Sequence, residues 1–526
     1  MMFIIISDTR NLYVRLSGKQ FLLSSIHHAM STSYQFSSNP LVRFLQKPAS
    51  QFTREDLIRF MEEHQIKMLN FRYVAGDGKL KTLNFVINGR AHLEDILTYG
   101  ERVDGSSLFS FMETGSSDLY VVPRYRSAFL NPFSEEPVLE ILCSFFDHTG
   151  NLLETAPENI LSKAVRVFRE KTGLDIKFLG ELEYYVNSKF SGFFQTEDQK
   201  GYHESEPFSK FEGMRKEALR LIAACGGKIK YGHSEVGNFI KHDEAFEQHE
   251  IEFLPTDPEF AAEQLVISKW ILRMLAKKMG VEISFAPKIT EGKAGSGLHF
   301  HMLIEKDGKN LVLENGMISA LSKRIIAGIL SCADALTSFG NTIPTSYLRL
   351  VPNQEAPTRI FWGARNRSAL IRVPLGWNGN LNMAEAANPG IAVKIPSPEN
   401  RQTFEFRVPD GSADIHLTIA GLIMAALHGL EMNCAVEMAD DLYVEGKLSV
   451  DPSKMKLEQL PASCTESADC LQKKRAVFEA FSVFPPHQID TTIRFLNQYG
   501  DENLRHELAG NEQATRELVR KFIHCQ

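Results

Sequence analysis

Three short segments carry polar residues two positions apart with apolar residues between them. They are Glu181-Leu-Glu183-Tyr-Tyr-Val, Leu298-His299-Phe-His301-Met-Leu and Phe404-Glu405-Phe-Arg407-Val. Strand side chains alternate between faces, so each segment presents its polar pair on one face and packs its apolar residues on the other. Together they imply a sheet face lined with carboxylate and imidazole groups that holds divalent cations. Glu235, in His233-Ser-Glu235-Val-Gly, and Glu250, in Gln248-His249-Glu250-Ile-Glu252-Phe, add carboxylates. Hard oxygen ligands with a single imidazole favour Mg²⁺ or Mn²⁺ over zinc. A cation held this way keeps positions open for substrate phosphates, which points to a nucleotide.

An arginine-rich stretch comes next: Ser346-Tyr-Leu-Arg349-Leu-Val-Pro352, Gly363-Ala-Arg365-Asn-Arg367-Ser368 and Ile371-Arg372-Val-Pro374. The guanidinium fork grips carboxylate and phosphate oxygens and neutralises charge that spreads during phosphoryl transfer. Glu355 lies between Pro352 and Pro357, in a constrained loop suited to a gate. Gly292-Lys-Ala-Gly295-Ser-Gly297 lacks the order of a phosphate-binding P-loop.

Positioning these groups takes strands and helices without a parallel βαβ rhythm. Thr53 and Asp56 ahead of Leu57, Ile58, Phe60 and Met61 read as a capped helix. The runs from Met68 and from Leu83, joined through Gly76-Asp77-Gly78, read as paired strands. Residues 156–172 predict a helix, and further amphipathic stretches span 209–225, 257–280, 316–339 and 414–438. The fold class is α+β. Residues 1–50 are weakly patterned, with a second Met at Met30 and a Ser-rich stretch from Ser31 to Ser38, and read as a disordered extension or an early start codon. Beyond them come a small unit over 51–145 and a larger one over 146–526, the latter ending in a charged, helical stretch.

The 58 Lys and Arg against 65 Asp and Glu leave a net charge of −7, with no basic block, which argues against a nucleic-acid partner. Seven cysteines without a C-x-x-C pair indicate neither a disulfide framework nor a zinc ribbon and fit a reducing cytoplasm. The apolar run at Met1 to Ile6 is too short for a membrane span.

These residues resemble the glutamine synthetase superfamily, in particular the bacterial type I enzymes and their γ-glutamyl-amine ligase relatives. Val103-Asp104-Gly105-Ser106-Ser107, Glu181-Leu-Glu183, Gly295-Ser-Gly-Leu-His299-Phe-His301, the Arg349 segment, Ala364-Arg-Asn-Arg367-Ser, Ile371-Arg372-Val-Pro and Glu405-Phe-Arg407-Val-Pro-Asp410 recur in family order. The resemblance implies a β-grasp N-terminal domain, a catalytic domain with a curved antiparallel sheet, and homo-oligomeric stacked rings in which the Asp104 loop completes a neighbour's site. It implies ATP-dependent ligation of glutamate and ammonia through γ-glutamyl phosphate. Glu183, Glu235 and Glu250 would bind one Mg²⁺ or Mn²⁺, and Glu181, His299 and Glu405 another. Gly295, Arg349 and Arg407 would hold glutamate. His301, Arg367 and Arg372 would meet the nucleotide, with Arg367 and Arg372 on the transferring phosphoryl group. Glu355 would close the site and help remove a proton, while Asp104 would bind ammonium and act as general base.

Asp104, Ser107, Tyr202, Glu235 and Glu355 together match the ammonium pocket of ammonia-using members. Two departures keep a primary-amine ligase as the alternative: Ala294 stands where those members carry Asn, and Thr403 where they carry a nucleotide-facing Arg, a role open to Arg401. The interval between Glu235 and Glu250 is long, so Glu244 and Glu247 compete with Glu250 as ligands. Tyr443 lies near the region adenylylated in some relatives. A catalytically silent structural member is the third reading.

Overall fold

Among the residues that the computed structural model describes are the backbone of 5–8, 11–16 and 19–22, and residues 34–525 apart from 111, 113–116, 191, 242, 353, 375, 377–381, 396–400 and 446–456. The sequence features at Met1, Met30 and Ser31 fall outside them. Strands β1 (Ile5–Asp8), β2 (Asn11–Leu16) and β3 (Lys19–Leu22) pair antiparallel in chain order.

The helix Pro40–Leu45 is capped by Asn39, whose Oδ1 accepts from Leu41 N at 2.9 Å. Its Leu41 and Leu45 are buried in the first core, so this part of the 1–50 segment packs into the first domain. Thr53 and Asp56 form a reciprocal cap on the helix Arg54–Glu63, with Thr53 N donating to Asp56 Oδ2 at 2.7 Å. Strands β4 (Met68–Val74) and β5 (Leu80–Val86) pair antiparallel from Met68–Val86 to Val74–Leu80. After the helix Arg90–Tyr99 come β6 (Glu101–Asp104), β7 (Asp118–Pro123), β8 (Phe129–Leu130) and β9 (Val138–Phe146). The sheet order is β5-β4-β9-β7-β6, with β4 and β9 parallel. The helices Arg54–Glu63 and Arg90–Tyr99 and this sheet enclose Leu57, Phe60, Leu69, Phe71, Leu97 and Phe145.

The second core is organised on β10 (Asp175–Lys189), a 15-residue strand. Later in the chain come β11 (Ile229–Lys241), β12 (Glu244–Phe253), β13 (Glu282–Ser284), β14 (Leu298–Lys306), β15 (Lys309–Asn310), the small hairpin β16 (Leu313–Glu314) and β17 (Met317–Ile318), β18 (Trp362–Ala364), β19 (Ile371–Val373) and β20 (Phe404–Phe406). The order β11-β12-β10-β14-β20-β19-β18 makes a curled, largely antiparallel sheet, with β13 and β15 attached to β10 and β14. The pair β18–β19 is parallel, as β4–β9 is, so parallel pairing is present but minor.

One face of β10 buries Leu182, Tyr184 and Val186 in a core shared with the helices Pro157–Thr172, Pro258–Met279 and Ile415–Glu431. The expected helix over 316–339 is two helices, Ala320–Ser331 and Ala333–Gly340, broken at Cys332. Both are buried, so the apolar pattern runs through the break. The stretch 414–438 likewise divides into Ile415–Glu431 and Ala435–Asp441. The chain ends in the helices Cys464–Glu479, Pro486–Asn497, Leu504–Leu508 and Glu512–Phe522. All seven cysteines are free, and among the described residues no single helix is long and apolar enough to cross a membrane.

Candidate active site

Strand register assembles the polar residues into a band across the sheet. His233 pairs with Glu250 and Glu250 with Glu183, while Glu181 pairs with His299, His301 with Glu405, and Glu405 with Arg372. The expectation that alternation places these pairs on one face is what the contacts display: His299 Nδ1 is 3.0 Å from Glu181 Oε2 and 3.3 Å from Glu405 Oε1, and its Nε2 is 3.9 Å from Glu183 Oε1.

Among the described residues, two groups could hold a cation. Glu181, His301 and Glu405 offer ligand atoms within 4.8 Å of one another, as do His233, Glu235 and Glu250. Glu183 and His299 stand between them. His301, expected on the nucleotide, donates through Nε2 to Glu181 Oε1 at 2.8 Å, and its Nδ1 meets Thr403 Oγ1 at 2.9 Å. Thr403 therefore orients an imidazole, which accounts for a hydroxyl at that position. Glu250 rather than its rivals joins the group. Glu247 accepts from Ser209 Oγ at 2.6 Å and Lys210 N at 2.8 Å and faces His249, and Glu244 is exposed.

The electrostatics suit a bound cation. Burial, with the charge of Glu235 added, raises the Glu183 carboxyl to about 7, although His299 and Arg349 oppose it. Burial and the charges of Glu181, Glu183 and Glu235 push Glu250 well above the usual range. Burial also disfavours ionised Glu181, but His301 and the hydrogen bonds from both histidines hold it well below. Carboxylates buried this close repel one another unless a cation intervenes, so the donor set suits divalent ions with oxygen-rich shells.

Beside the band lie Arg349 and Arg407, 4% and 7% exposed and thus able to act on a ligand only from within the site. Arg349 donates to Val408 O at 2.8 Å and its Nη2 is 3.2 Å from His299 Nε2. Arg407 Nε donates to Glu405 Oε1 at 3.0 Å. With Gly295 and Glu355 these arginines line a cavity of about 30 Å³, room for roughly one water. The Glu355 carboxyl is held above the usual range, by partial burial first and by Glu235 second.

The glycine loop packs by close approach. A Cβ on Gly297 would lie 2.4 Å from His299 Nε2 and 2.7 Å from Arg349 Nη2, and Gly297 N donates to Glu183 Oε2 at 2.8 Å. Ala294 is fixed through its backbone: its N–H donates to Gln199 Oε1 at 2.7 Å, and its carbonyl accepts from Tyr185 Oη at 2.9 Å. Arg372 Nη1 donates to Glu405 Oε2 at 3.0 Å, leaving a buried Nε without a partner among the described residues. Arg367 and Arg401 are exposed. Tyr202 stacks on His203 at 4.2 Å and approaches the His233 ring at 5.4 Å, so it reaches the Glu235 end of the band.

Asp104 and Ser107 sit elsewhere, on β6 and the turn after it in the first domain. Ser107 Oγ and Ser106 Oγ each donate to Asp104 at 2.7 Å, and these bonds with that from Ser117 hold its carboxyl well below the usual range. Hydrogen bonds of this kind favour the ionised form of an exposed carboxylate. Tyr443 packs on Trp362, ring centroids 4.8 Å apart.

Sequence reasoning passed over two members of the band. His233 obeys the same two-residue spacing with Glu235, a signal within reach of the rule used for the other strands. Gln248 Nε2 donates to Glu183 Oε2 at 3.1 Å and Gly295 O at 3.0 Å, tying the carboxylates to the glycine loop. A neutral amide gives no advance sign of such a bridge.

Comparison with known proteins agrees with this architecture. Residues 154–505 match the glutamine synthetase catalytic domain family and residues 65–148 the glutamine synthetase β-grasp domain. Glutamine synthetase of Frankia alni is 28% identical over 496 residues, covering 86% of this chain and 97% of the relative. That of Thermus thermophilus is 26% identical over 441 residues, covering 82% and 92%. Among solved structures, Plasmodium falciparum glutamine synthetase has a TM-score of 0.71 at 20% identity, covering 86% of this chain and 97% of its own. Apo GmaS has a TM-score of 0.67 at 18% identity, covering 85% and 96%. The two domain matches, over a β-grasp sheet and a curled sheet with its carboxylate–imidazole band, mean that the chain belongs to the glutamine synthetase family of ligases.

Proposed function

We propose that this ligase makes glutamine from glutamate and ammonia, with ATP converted to ADP and phosphate through γ-glutamyl phosphate. The observation that carries the reading is the convergence of buried Arg349 and Arg407 on a band of carboxylates and imidazoles across one sheet. A carboxylate is a poor acyl donor, and phosphorylation supplies it with a leaving group. Glu183, Glu235 and Glu250, with His233 beside them, are the candidates for one Mg²⁺ or Mn²⁺, and Glu181, His299 and Glu405, with His301, for a second. Bound there, divalent cations would neutralise phosphate charge.

Arg349, Arg407 and the Gly295 backbone hold the glutamate carboxylates. Arg372, with its spare buried donor, and Arg367 face the phosphates, and Arg401 is near enough in sequence to share that task. Closure of the Glu355 loop excludes water from the acyl phosphate. Glu355, with its raised pKa, is the better proton acceptor, and Asp104 contributes negative charge toward ammonium from a neighbouring subunit in a ring assembly. In this proposal residues 51–145 form the β-grasp domain and 146–526 the catalytic domain, in a reducing cytoplasm.

The retained set Tyr202, Glu235, Glu355, Asp104 and Ser107 supports ammonia as acceptor. The backbone-only tether of Ala294, together with the likeness to GmaS, supports a primary-amine ligase as the second reading. Incubation with ATP, Mg²⁺ and glutamate, offering ammonium or a panel of primary amines, separates them by product mass. Glutamine from ammonium supports the first, and a γ-glutamyl amide formed only from an amine replaces it with the second.

A further inference from the structure

Away from the carboxylate band, a cleft of about 620 Å³ lies between the two domains, bounded by Gly78 and Leu80 of the β4–β5 hairpin, the helix Pro258–Met279, Ile283 on β13 and the start of the helix Ile415–Glu431. Two polar side chains in its wall, Lys269 and His416, are each only 4% exposed. Lys269 Nζ donates to Gly411 O at 2.8 Å and lies 5.1 Å from the Phe285 ring centre. Burial pushes this ammonium down to about 7. The His416 imidazole makes no hydrogen bond with a described residue, and burial keeps it neutral, its pKa lowered to about 3.

The acids of the cleft are engaged. Asp414 accepts from Leu417 N at 3.0 Å as the helix cap, and burial raises it to about 6. Glu282 pairs with His524 at 3.1 Å. Arg273 donates to Cys525 O at 3.0 Å, and Lys79 and Lys277 stand exposed at the rim. Lys79, Lys269, Arg273 and Lys277 outnumber Glu282 and Asp414 around an apolar floor of Val266, Trp270 and Ile283. An ammonium held by the Gly411 carbonyl and faced by the charge of Asp410, and an imidazole with a spare donor, gain from an anion that also fills apolar space.

We propose that this cleft is a binding site for a small carboxylate on an apolar body, its carboxylate meeting Lys269 and His416. Occupancy reaches the active site along a short path. Gly411 lies just after Pro409, whose carbonyl accepts from Leu298 N at 2.9 Å beside His299, and Val408, whose carbonyl accepts from Arg349 Nη1 at 2.8 Å. A ligand that competes for Lys269 loosens this segment and changes how glutamate is held.

The test uses the full-length protein with benzoate as probe, benzamide as its uncharged isostere and inorganic phosphate as a bare anion, measured by calorimetry at pH 7. Expected are saturable benzoate binding, none with benzamide, weakening by about tenfold in Lys269→Met and in His416→Phe, and a changed KM for glutamate at saturating benzoate. Benzoate lodged in the glutamate site would keep its affinity in both variants, which overturns the proposal. Absence of saturable binding, equal binding of benzamide, or binding of phosphate but not benzoate does the same. An unchanged KM removes the coupling. Should Lys269→Met fail to fold, Lys79→Ala with Lys277→Ala at the rim is expected to weaken benzoate by about threefold at low salt, and undiminished affinity there counts against the site.

Discussion

Glu183 and Glu181 stand two residues apart on one strand, both buried, yet shift in opposite directions, because two histidines outweigh burial at Glu181 while burial, with Glu235, prevails at Glu183. Below about pH 7 Glu183 carries a proton that a metal must displace. Divalent-metal affinity is therefore expected to fall as pH falls, by about tenfold from pH 8 to pH 6 for one such proton. Calorimetry in buffers of different ionisation enthalpy would reveal the released proton, and a buffer-independent heat would refute this linkage. Glu355→Ala is expected to retain nucleotide binding and to lose about 100-fold in product formation, read as dissociation constant against kcat. Asp104→Asn is expected to impair use of ammonium more than formation of the acyl phosphate. Equal loss of both steps would make Asp104 a structural cap of its turn.

At the scale of elements, the two-residue spacing was legible because strand alternation converts it directly into a shared face. Only with β12 in register does Glu250 fall beside His233 and Glu235 while Glu247 turns to Ser209 and His249. The break at Cys332 was not legible, since two buried helices in succession carry one continuous apolar pattern. Lys269 and His416 were also hidden: within helices a lysine or histidine reads as a surface residue until the neighbouring domain covers it. The glycine loop makes its own prediction. Gly297→Ala forces a methyl against His299 and Arg349, and overpacking of this kind destabilises by about 1–3 kcal/mol. Activity is expected to fall about tenfold or more while the far-ultraviolet circular dichroism stays native. Full activity in that variant would show that the loop has slack.

For the molecule as a whole, Asp104 lies in the first domain, bonded to Ser106 and Ser107 of its own turn, and outside the carboxylate band. If a neighbour's Asp104 completes each site, mixed assemblies of Asp104→Asn and Glu355→Ala chains regain about a quarter of the normal sites, half of one contribution times half of the other. Denaturing, mixing and refolding the two inactive variants together, then assaying, decides this. No recovery would place the whole site within one chain. The central claim is that ATP activates the glutamate side-chain carboxylate for attack by nitrogen. Its most direct test supplies glutamate labelled with ¹⁸O in that carboxylate, with ATP, Mg²⁺ and ammonium, and weighs the phosphate released. One ¹⁸O in each phosphate is expected, whereas unlabelled phosphate formed alongside glutamine would contradict the acyl-phosphate route.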